Sequence, residues 1–233
     1  MSNFRFTRAD NFPPIVKNLI IINVLVFLAQ SAFDQEYHIT EKLGLWPVES
    51  ENFRPYQIVT HMFTHGGVGH IFFNMFGLWM FGKTLENVWQ AKRFLFFYLA
   101  CGLGAAFAHM AVDYFHYKDL FAYARFLTDA GQDDVAFRLL NSSVGPTIGA
   151  SGAIMGIFAA FAYTFPNTEL YIMLIPVPVK AKWAVLGMVA IDLFSGIGKF
   201  SGDNVAHFAH LGGAVTGFIL VYIWNKTNRK SLY

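Results

Sequence analysis

Apolar residues in this chain come in blocks of about twenty, separated by short stretches that carry charge, proline or glycine. A helix of about 20 apolar residues crosses the ~30 Å hydrocarbon core of a bilayer. The pattern therefore predicts an all-α, polytopic membrane protein, with residues 1–233 forming a single membrane domain. Its six predicted spanning segments are 15–33, 67–84, 94–112, 150–165, 181–197 and 205–224.

The composition agrees with a membrane protein and excludes an ordinary soluble domain. Hydrophobic types make up 55% of the 233 residues and charged types only 14%. The single cysteine, Cys101, excludes an internal disulfide. Segment 15–33 is followed by acidic residues without a small-residue cleavage pattern, so we read it as a retained helix and not as a signal peptide.

The distribution of Lys and Arg orients the segments. Six crossings leave both termini on one side, and that side carries eleven of the seventeen basic residues against three acids. Because the Lys/Arg bias marks the cytoplasmic side, both termini are expected to be cytoplasmic. We expect an integral, multi-pass protein of a bacterial cytoplasmic (inner) membrane.

Two connections between the segments are too long for simple turns. The outer loop, 34–59, spaces Trp46, Phe53 and Tyr56 among polar residues, which suits the headgroup layer. The second connection, 113–144, repeats apolar residues at steps of three and four as an amphipathic helix does. We interpret it as an interfacial insertion.

Polar groups inside a bilayer are expensive and are functional candidates by default. His70 and Asn74 are four residues apart on the second segment, so they lie on one helix face. Ser151 opens the fourth segment, and His210 lies near the start of the sixth. These three segments all start from the outer side, so the four side chains are expected at one depth.

Small residues indicate how two of these segments meet. Glycine pairs with GxxxG spacing begin at Gly152 on the fourth segment and at Gly213 on the sixth, and such pairs let helix backbones approach closely. Ser151 directly precedes the first pair, and His210 lies one turn before the second. We call each glycine pair a glycine ridge. If the two glycine ridges face each other, the imidazole of His210 reaches the hydroxyl of Ser151 and can act as its general base. The second, fourth and sixth segments contain no Asp or Glu, so we expect a Ser–His dyad without a carboxylate.

The surroundings of Ser151 suit acyl transfer. Gly149 and Gly152 leave room for a substrate carbonyl, and the helix start supplies backbone N–H groups and a positive dipole end. His70 and Asn74 can both donate hydrogen bonds to a developing oxyanion.

Two other functions stay open at this point. Intramembrane histidines (His70, His207 and His210) are also typical of a transporter or a proton- or cation-conducting protein, although we expect no intramembrane carboxylate to accompany them. An inactive protein that only binds membrane helices is the other alternative. His61 and His65 have metal-ligand spacing but lack the Glu of an H-E-x-x-H site, so we expect them to brace the loop. No metal or cofactor is expected.

Three stretches, "HMFTHGGVGHIFFNMFG", "GASG" and "AHLGGAVTG", occur in this order on the second, fourth and sixth segments. Together they resemble the rhomboid intramembrane serine proteases. The resemblance implies a rhomboid-like bundle of six transmembrane helices and a serine endopeptidase that cleaves single-span membrane proteins in the lipid bilayer, with no nucleic-acid partner. It assigns the catalytic roles to Ser151 (nucleophile) and His210 (base), and the oxyanion-stabilising roles to His70 and Asn74.

The resemblance extends to further positions, with three departures, one of which is a longer segment between the third and fourth spans than the compact bacterial form has. Gly149 and Gly152 take the glycine places of the nucleophile motif, and Glu86 takes the place of a structural acid. Tyr56-Gln57 stands where many members have Trp-Arg, so the bracing of the outer loop differs. Met155 replaces an aromatic residue one turn after the serine, so the histidine ring is held in another way.

Overall fold

The computed structural model describes residues 10–171, 177–198 and 206–227. Nearly all regular structure within these ranges is helical, which confirms the all-α class. The helices are α1 Pro14–Tyr37, α2 Ile39–Leu43, α3 Gln57–Thr60, α4 Val68–Gly77, α5 Lys83–Trp89, α6 Ala91–Asp129, α7 Asp133–Ser143, α8 Ser151–Thr164, α9 Ala181–Gly198 and α10 His207–Thr227.

Four short elements complete the regular structure of the described residues. A 3-10 turn, His61–Phe63, follows α3, and a π-helical turn, Leu78–Gly82, joins α4 to α5 without a break. The strands β1 (Glu169–Leu170) and β2 (Val179–Lys180) pair antiparallel between α8 and α9.

The helix lengths and compositions are those of an integral membrane protein. In the part of the chain that the structure describes, α1, α6 and α10 are long and apolar enough to cross a membrane, and α8 is a shorter apolar helix. Each predicted spanning segment overlaps a helix, α1, α4 to α5, α6, α8, α9 and α10 in turn. The count of six crossings stays a prediction.

The helix that contains the third predicted segment continues past residue 112. α6 continues as one helix of 39 residues to Asp129, because 113–129 contains no proline or glycine and its apolar residues keep helical spacing. The chain then turns at Gly131, whose φ of +76° lies in the left-handed region, and α7 packs back on α6. The stretch 113–144 is therefore a helical hairpin continuous with the third segment, and its place at the interface stays a prediction.

The glycine ridges of α8 and α10 face each other at close range. A Cβ built on Gly217 would lie 2.5 Å from the carbonyl oxygen of Gly156, and one built on Gly213 would lie 2.7 Å from the carbonyl carbon of Gly152. No side chain fits between these backbones. The centre of the fold is thus the contact of α8 with α10 and α6, and it positions the start of α8 against the start of α10.

Glu86 ties α5 to the start of α1. Its two carboxylate oxygens accept hydrogen bonds from the backbone N–H groups of Ile15 (2.9 Å) and Val16 (2.8 Å). These are among the N–H groups that a helix start leaves without an internal partner. Glu86 is only 2% exposed, so the charge-assisted bonds are shielded from water. This arrangement supports the structural role that the resemblance implies for Glu86.

Candidate active site

Ser151 and His210 are in hydrogen-bond contact. Ser151 is the first residue of α8, and His210 lies in the first turn of α10. His210 Nε2 is 2.8 Å from Ser151 Oγ, an ordinary distance for a hydrogen bond between an imidazole and a hydroxyl. The facing glycine ridges explain the contact, because they hold the starts of the two helices together.

A carboxylate lies on the other side of the imidazole. Asp192 Oδ1, from α9, is 3.0 Å from His210 Nδ1 and 2.7 Å from His207 Nδ1. We call Asp192, His207 and His210 the Asp192 cluster. Asp192 is 8% exposed, so its carboxylate is largely shielded by protein.

The expectation that no carboxylate lies beside the imidazole is therefore wrong. Asp192 stands in "AIDLFSG" on the fifth predicted segment, outside the second, fourth and sixth segments that carry the motifs. An acid within an apolar helix was the signal that could have found it. The same contact removes the argument that the intramembrane histidines have no carboxylate beside them.

His70 lies against the glycine that precedes the nucleophile. Its Nδ1 accepts a hydrogen bond from the N–H of Gly66 at 3.3 Å, so a neutral ring carries its proton on Nε2. A Cβ built on Gly149 would lie 2.8 Å from that Nε2, and Gly149 has a φ of +125°. Only glycine suits both the space and the backbone conformation. The ring therefore presents a donor beside the segment that leads into Ser151.

Asn74 presents a second donor. It is 6% exposed, and its Nδ2 makes no hydrogen bond to any residue within the described ranges. Asn74 and Ser151 line the same cavity. A buried amide without a partner costs free energy, which fits a group whose partner arrives with a ligand.

The shared cavity has a volume of about 310 Å³ and lies between α4, α8, α9 and α10. Its polar groups are Asn74, Ser151, Asp192 and His210, and the remaining wall is apolar. Met155, which replaces the aromatic residue of the resemblance, is buried in this wall. A largely apolar cleft with a few convergent polar groups is the usual form of a ligand site.

The segment before Ser151 is held by the outer loop and α6. The N–H of Gly149 donates to the carbonyl of His61 at 2.9 Å. Leu45 and Thr147 exchange backbone hydrogen bonds of 2.9 and 2.8 Å, and the Thr147 hydroxyl contacts the ring of His109. Three parts of the chain therefore fix the approach to the nucleophile.

Gln57 braces the outer loop from inside. Its buried side chain accepts a hydrogen bond from the N–H of Arg54 at 3.0 Å and donates to the carbonyls of Lys42 (3.2 Å) and Asn52 (3.0 Å). One amide thus joins three points of the loop. This is how the chain holds the loop with Tyr56-Gln57 in place of Trp-Arg.

His61 and His65 belong to the loop framework. His61 Nδ1 contacts the carbonyl of Gln57 at 2.9 Å, and burial lowers the pKa of His61. Burial, with a smaller contribution from His70, lowers the pKa of His65 to about 4. Both rings are therefore neutral near pH 7.

Over the described ranges, the group whose atoms lie close enough to share a metal ion is the Asp192 cluster, whose possible ligand atoms all lie within 4.8 Å of one another.

Comparison with known proteins gives the family. The family model described as the Rhomboid domain matches residues 52–227, more than half of the chain. RHOMBOID-like protein 12, mitochondrial, of Arabidopsis thaliana is 30% identical over 88% of this chain and 56% of its own length. Rhomboid protein 1, mitochondrial, of Saccharomyces cerevisiae is 28% identical over 72% of this chain and 40% of its own length. Presenilin-associated rhomboid-like protein, mitochondrial, of Homo sapiens is 28% identical over 87% and 46% respectively.

This chain thus spans about half the length of the curated relatives it matches. Their names place those relatives in mitochondria, so the expectation of a bacterial membrane has no support among them. The sequence match covers the three stretches that carry the resemblance. The chain belongs to the rhomboid family.

Proposed function

We propose that this protein is an intramembrane serine endopeptidase that hydrolyses peptide bonds of single-span membrane proteins. The observation that carries the proposal is the 2.8 Å contact between His210 Nε2 and Ser151 Oγ. A serine hydroxyl is a weak nucleophile until a base removes its proton, and an imidazole at this distance is suited to do so.

The proposed reaction follows from this pair. His210 Nε2 takes the Ser151 proton while Oγ attacks the substrate carbonyl carbon. The tetrahedral intermediate collapses to an acyl-enzyme when the imidazolium gives the proton to the leaving amine. A water molecule then attacks the ester, with His210 again the base, and the carboxylic product leaves Ser151 free.

The oxyanion needs donors that are in place before the reaction. The first N–H groups of α8 have no partner within the helix and point towards its start, where Ser151 lies. The free Nδ2 of Asn74 and the Nε2–H of His70 would add two side-chain donors. Donors of this kind are typically worth about 10²- to 10³-fold in kcat each.

The surroundings of the cavity favour a membrane-embedded substrate. Phe72 and Phe73 on α4 and Phe194 on α9 are more than half exposed, which suits contact with lipid and with an apolar substrate helix. A peptide bond inside a helix is shielded by the helix itself, so the substrate must present an extended stretch to Ser151. We therefore expect cleavage near helix ends that unwind easily. No cofactor takes part in the proposed reaction.

Cleavage of a membrane-anchored fluorescent reporter by the purified protein in proteoliposomes tests the proposal. Wild type should cut the reporter and react at Ser151 with a fluorophosphonate probe, whereas Ser151→Ala and His210→Ala should do neither. Gly187→Ala is the control, since a methyl group there would meet no heavy atom within 4 Å. Full activity in Ser151→Ala would refute the proposal.

Transport by intramembrane histidines is the alternative, and the Asp192 contacts with His207 and His210 give it a carboxylate partner. A proton relay through these groups would not need the hydroxyl of Ser151. Proton flux in sealed vesicles that persists in Ser151→Ala, together with absent reporter cleavage in wild type, would favour transport over proteolysis.

We also propose that the active site opens on the side opposite the termini. The chain's single cysteine, Cys101, is buried, so introduced cysteines can report sidedness. Glu51 on the outer loop and Lys92 at the start of α6 are both exposed. A membrane-impermeant maleimide added to sealed vesicles should label Glu51→Cys and Lys92→Cys from opposite sides. Labelling of both from one side would contradict this topology.

A further inference from the structure

Asp192, His210 and Ser151 form a continuous hydrogen-bonded line across three helices. Asp192 Oδ1 is 3.0 Å from His210 Nδ1, and His210 Nε2 is 2.8 Å from Ser151 Oγ. The two contacts use opposite nitrogens of one imidazole ring. Asp192 also lines the cavity that contains Ser151, although its carboxylate contacts the histidines and not the hydroxyl.

We propose that Asp192 is a positioning residue that completes a Ser151–His210–Asp192 triad. This inference rests on the proposed protease function. The carboxylate accepts the Nδ1–H of His210, holds the ring towards Ser151 and stabilises the imidazolium that forms when Ser151 loses its proton. The carboxylate itself stays ionised, and the proton moves only between Oγ, Nε2 and the leaving amine.

The carboxylate matters because it selects the tautomer of the His210 ring. A neutral imidazole has one N–H donor and one acceptor nitrogen. An ionised carboxylate can only accept, so its contact requires the proton of His210 to be on Nδ1. Nε2 is then left as the acceptor that faces Ser151, which is the form that a general base needs.

His207 holds the carboxylate in place. Its Nδ1 lies 2.7 Å from the same Oδ1 atom, so a second imidazole can donate to Asp192. Hydrogen bonds to a carboxylate favour its charged form and offset the burial of the 8% exposed Asp192 side chain. His207 therefore acts on His210 through Asp192.

Two substitutions of Asp192, one that keeps its size and one that keeps its charge, distinguish positioning of His210 from a purely structural role. Asp192→Asn keeps the shape, but its amide can donate to Nδ1 and so favours the tautomer with the proton on Nε2, which cannot accept from Ser151. We expect kcat to fall by about 10²- to 10⁴-fold with little change in KM. Asp192→Glu keeps an acceptor-only group and should recover part of that loss.

The rate of fluorophosphonate labelling at Ser151 should follow the same order, because it also depends on the base and needs no peptide substrate. His207→Ala, which removes one of the two imidazole partners of Asp192 but keeps the carboxylate itself, should cause a smaller loss than Asp192→Asn. Leu193→Ala is the neighbouring control, since the Leu193 side chain is 42% exposed and makes no part of the site. Thermal unfolding of each variant in detergent shows whether the fold is kept.

Two results would overturn the proposal. The first is an Asp192→Asn variant whose kcat and labelling rate stay within about threefold of an active wild type. The second is an equal loss in Asp192→Asn and Asp192→Glu with lowered unfolding temperatures in both, which would make Asp192 structural. A wild type that neither cleaves nor labels at Ser151 would instead refute the protease function, so the two failures are distinguishable.

Discussion

Gly213→Ala tests whether backbone contact between α8 and α10 sets the distance between Ser151 and His210. A methyl carbon on Gly213 would lie 2.7 Å from the carbonyl carbon of Gly152 and would overlap its oxygen. Non-bonded carbon atoms prefer separations of about 3.5–4.0 Å, so the two backbones must part by about 1 Å. A backbone carbonyl cannot turn aside as a flexible side chain can.

This displacement acts directly on the proposed catalytic pair. Ser151 precedes Gly152, and His210 lies one helical turn before Gly213. Added to the observed 2.8 Å, a shift of about 1 Å takes His210 Nε2 beyond hydrogen-bond distance of Ser151 Oγ. Misplacement on this scale costs about 10²-fold in rate, and the overpacking costs about 1–3 kcal/mol in stability.

Reporter cleavage, fluorophosphonate labelling of Ser151 and the unfolding midpoint in detergent measure these effects together. Gly187→Ala on α9 is the matched control, because it adds the same methyl group to open space. We expect this control to be active, with a stability gain of up to about 1 kcal/mol from helix propensity. A Gly213→Ala variant with wild-type labelling rate and midpoint would refute the idea that the glycine contact sets the geometry.

Four further expectations follow from individual contacts. Glu86→Gln should lower the free energy of unfolding in detergent by about 1.5–3 kcal/mol, because the start of α1 loses charge-assisted hydrogen bonds. Glu36→Gln is the control, since Glu36 is exposed, and it should leave that free energy unchanged. Asn74→Ala should lower kcat about 10²-fold in the reporter assay, while Ser151 is still acylated at a reduced rate. The lowered pKa of His65, about 4 in the fold against an ordinary value of 6.5, should make stability fall as the pH drops from 6.5 to about 4, and His65→Gln should flatten that part of the unfolding profile. A chelator should leave cleavage unchanged, whereas added Zn²⁺ should inhibit it reversibly by occupying the Asp192 cluster and withdrawing the base.

Much of the site's placement was accessible from the sequence because helix geometry converts residue number into depth. Ser151 and His210 each lie close to the start of a predicted segment, which gives them a similar depth. The glycine ridges bring the two helices close together laterally, which depth alone does not ensure. The structure brings these two side chains together for the same reasons. The bracing by Gln57 was less accessible, because it depends on the path of an irregular loop and not on a helical period.

The helix continues past residue 112, where the predicted span ends, because charge alone does not end a helix. The residues after Asp113 mix charged and aromatic side chains, so the hydropathy drops there while the backbone continues to Asp129. A helix needs proline, glycine or a capping arrangement to stop, and the first residue of that kind is Gly131. Hydropathy indicates where lipid contact can end, whereas backbone chemistry determines where the helix ends.

Helix geometry places Asp192 near the depth of His210, as it does Ser151. Asp192 stands six residues before the end of α9, about 9 Å along the axis, and His210 stands about 5 Å from the start of α10. The two helices are consecutive in the chain, so they are natural antiparallel neighbours whose facing ends share a level. An acid in an apolar helix at the level of a candidate base therefore indicates a partner for that base. The lack of acids in the segments that carry the motifs is weaker evidence against such a partner. The motifs lie on three helices and give no information about the fifth segment, whereas the physical requirement for a charge beside an imidazole applies to every helix that reaches that depth.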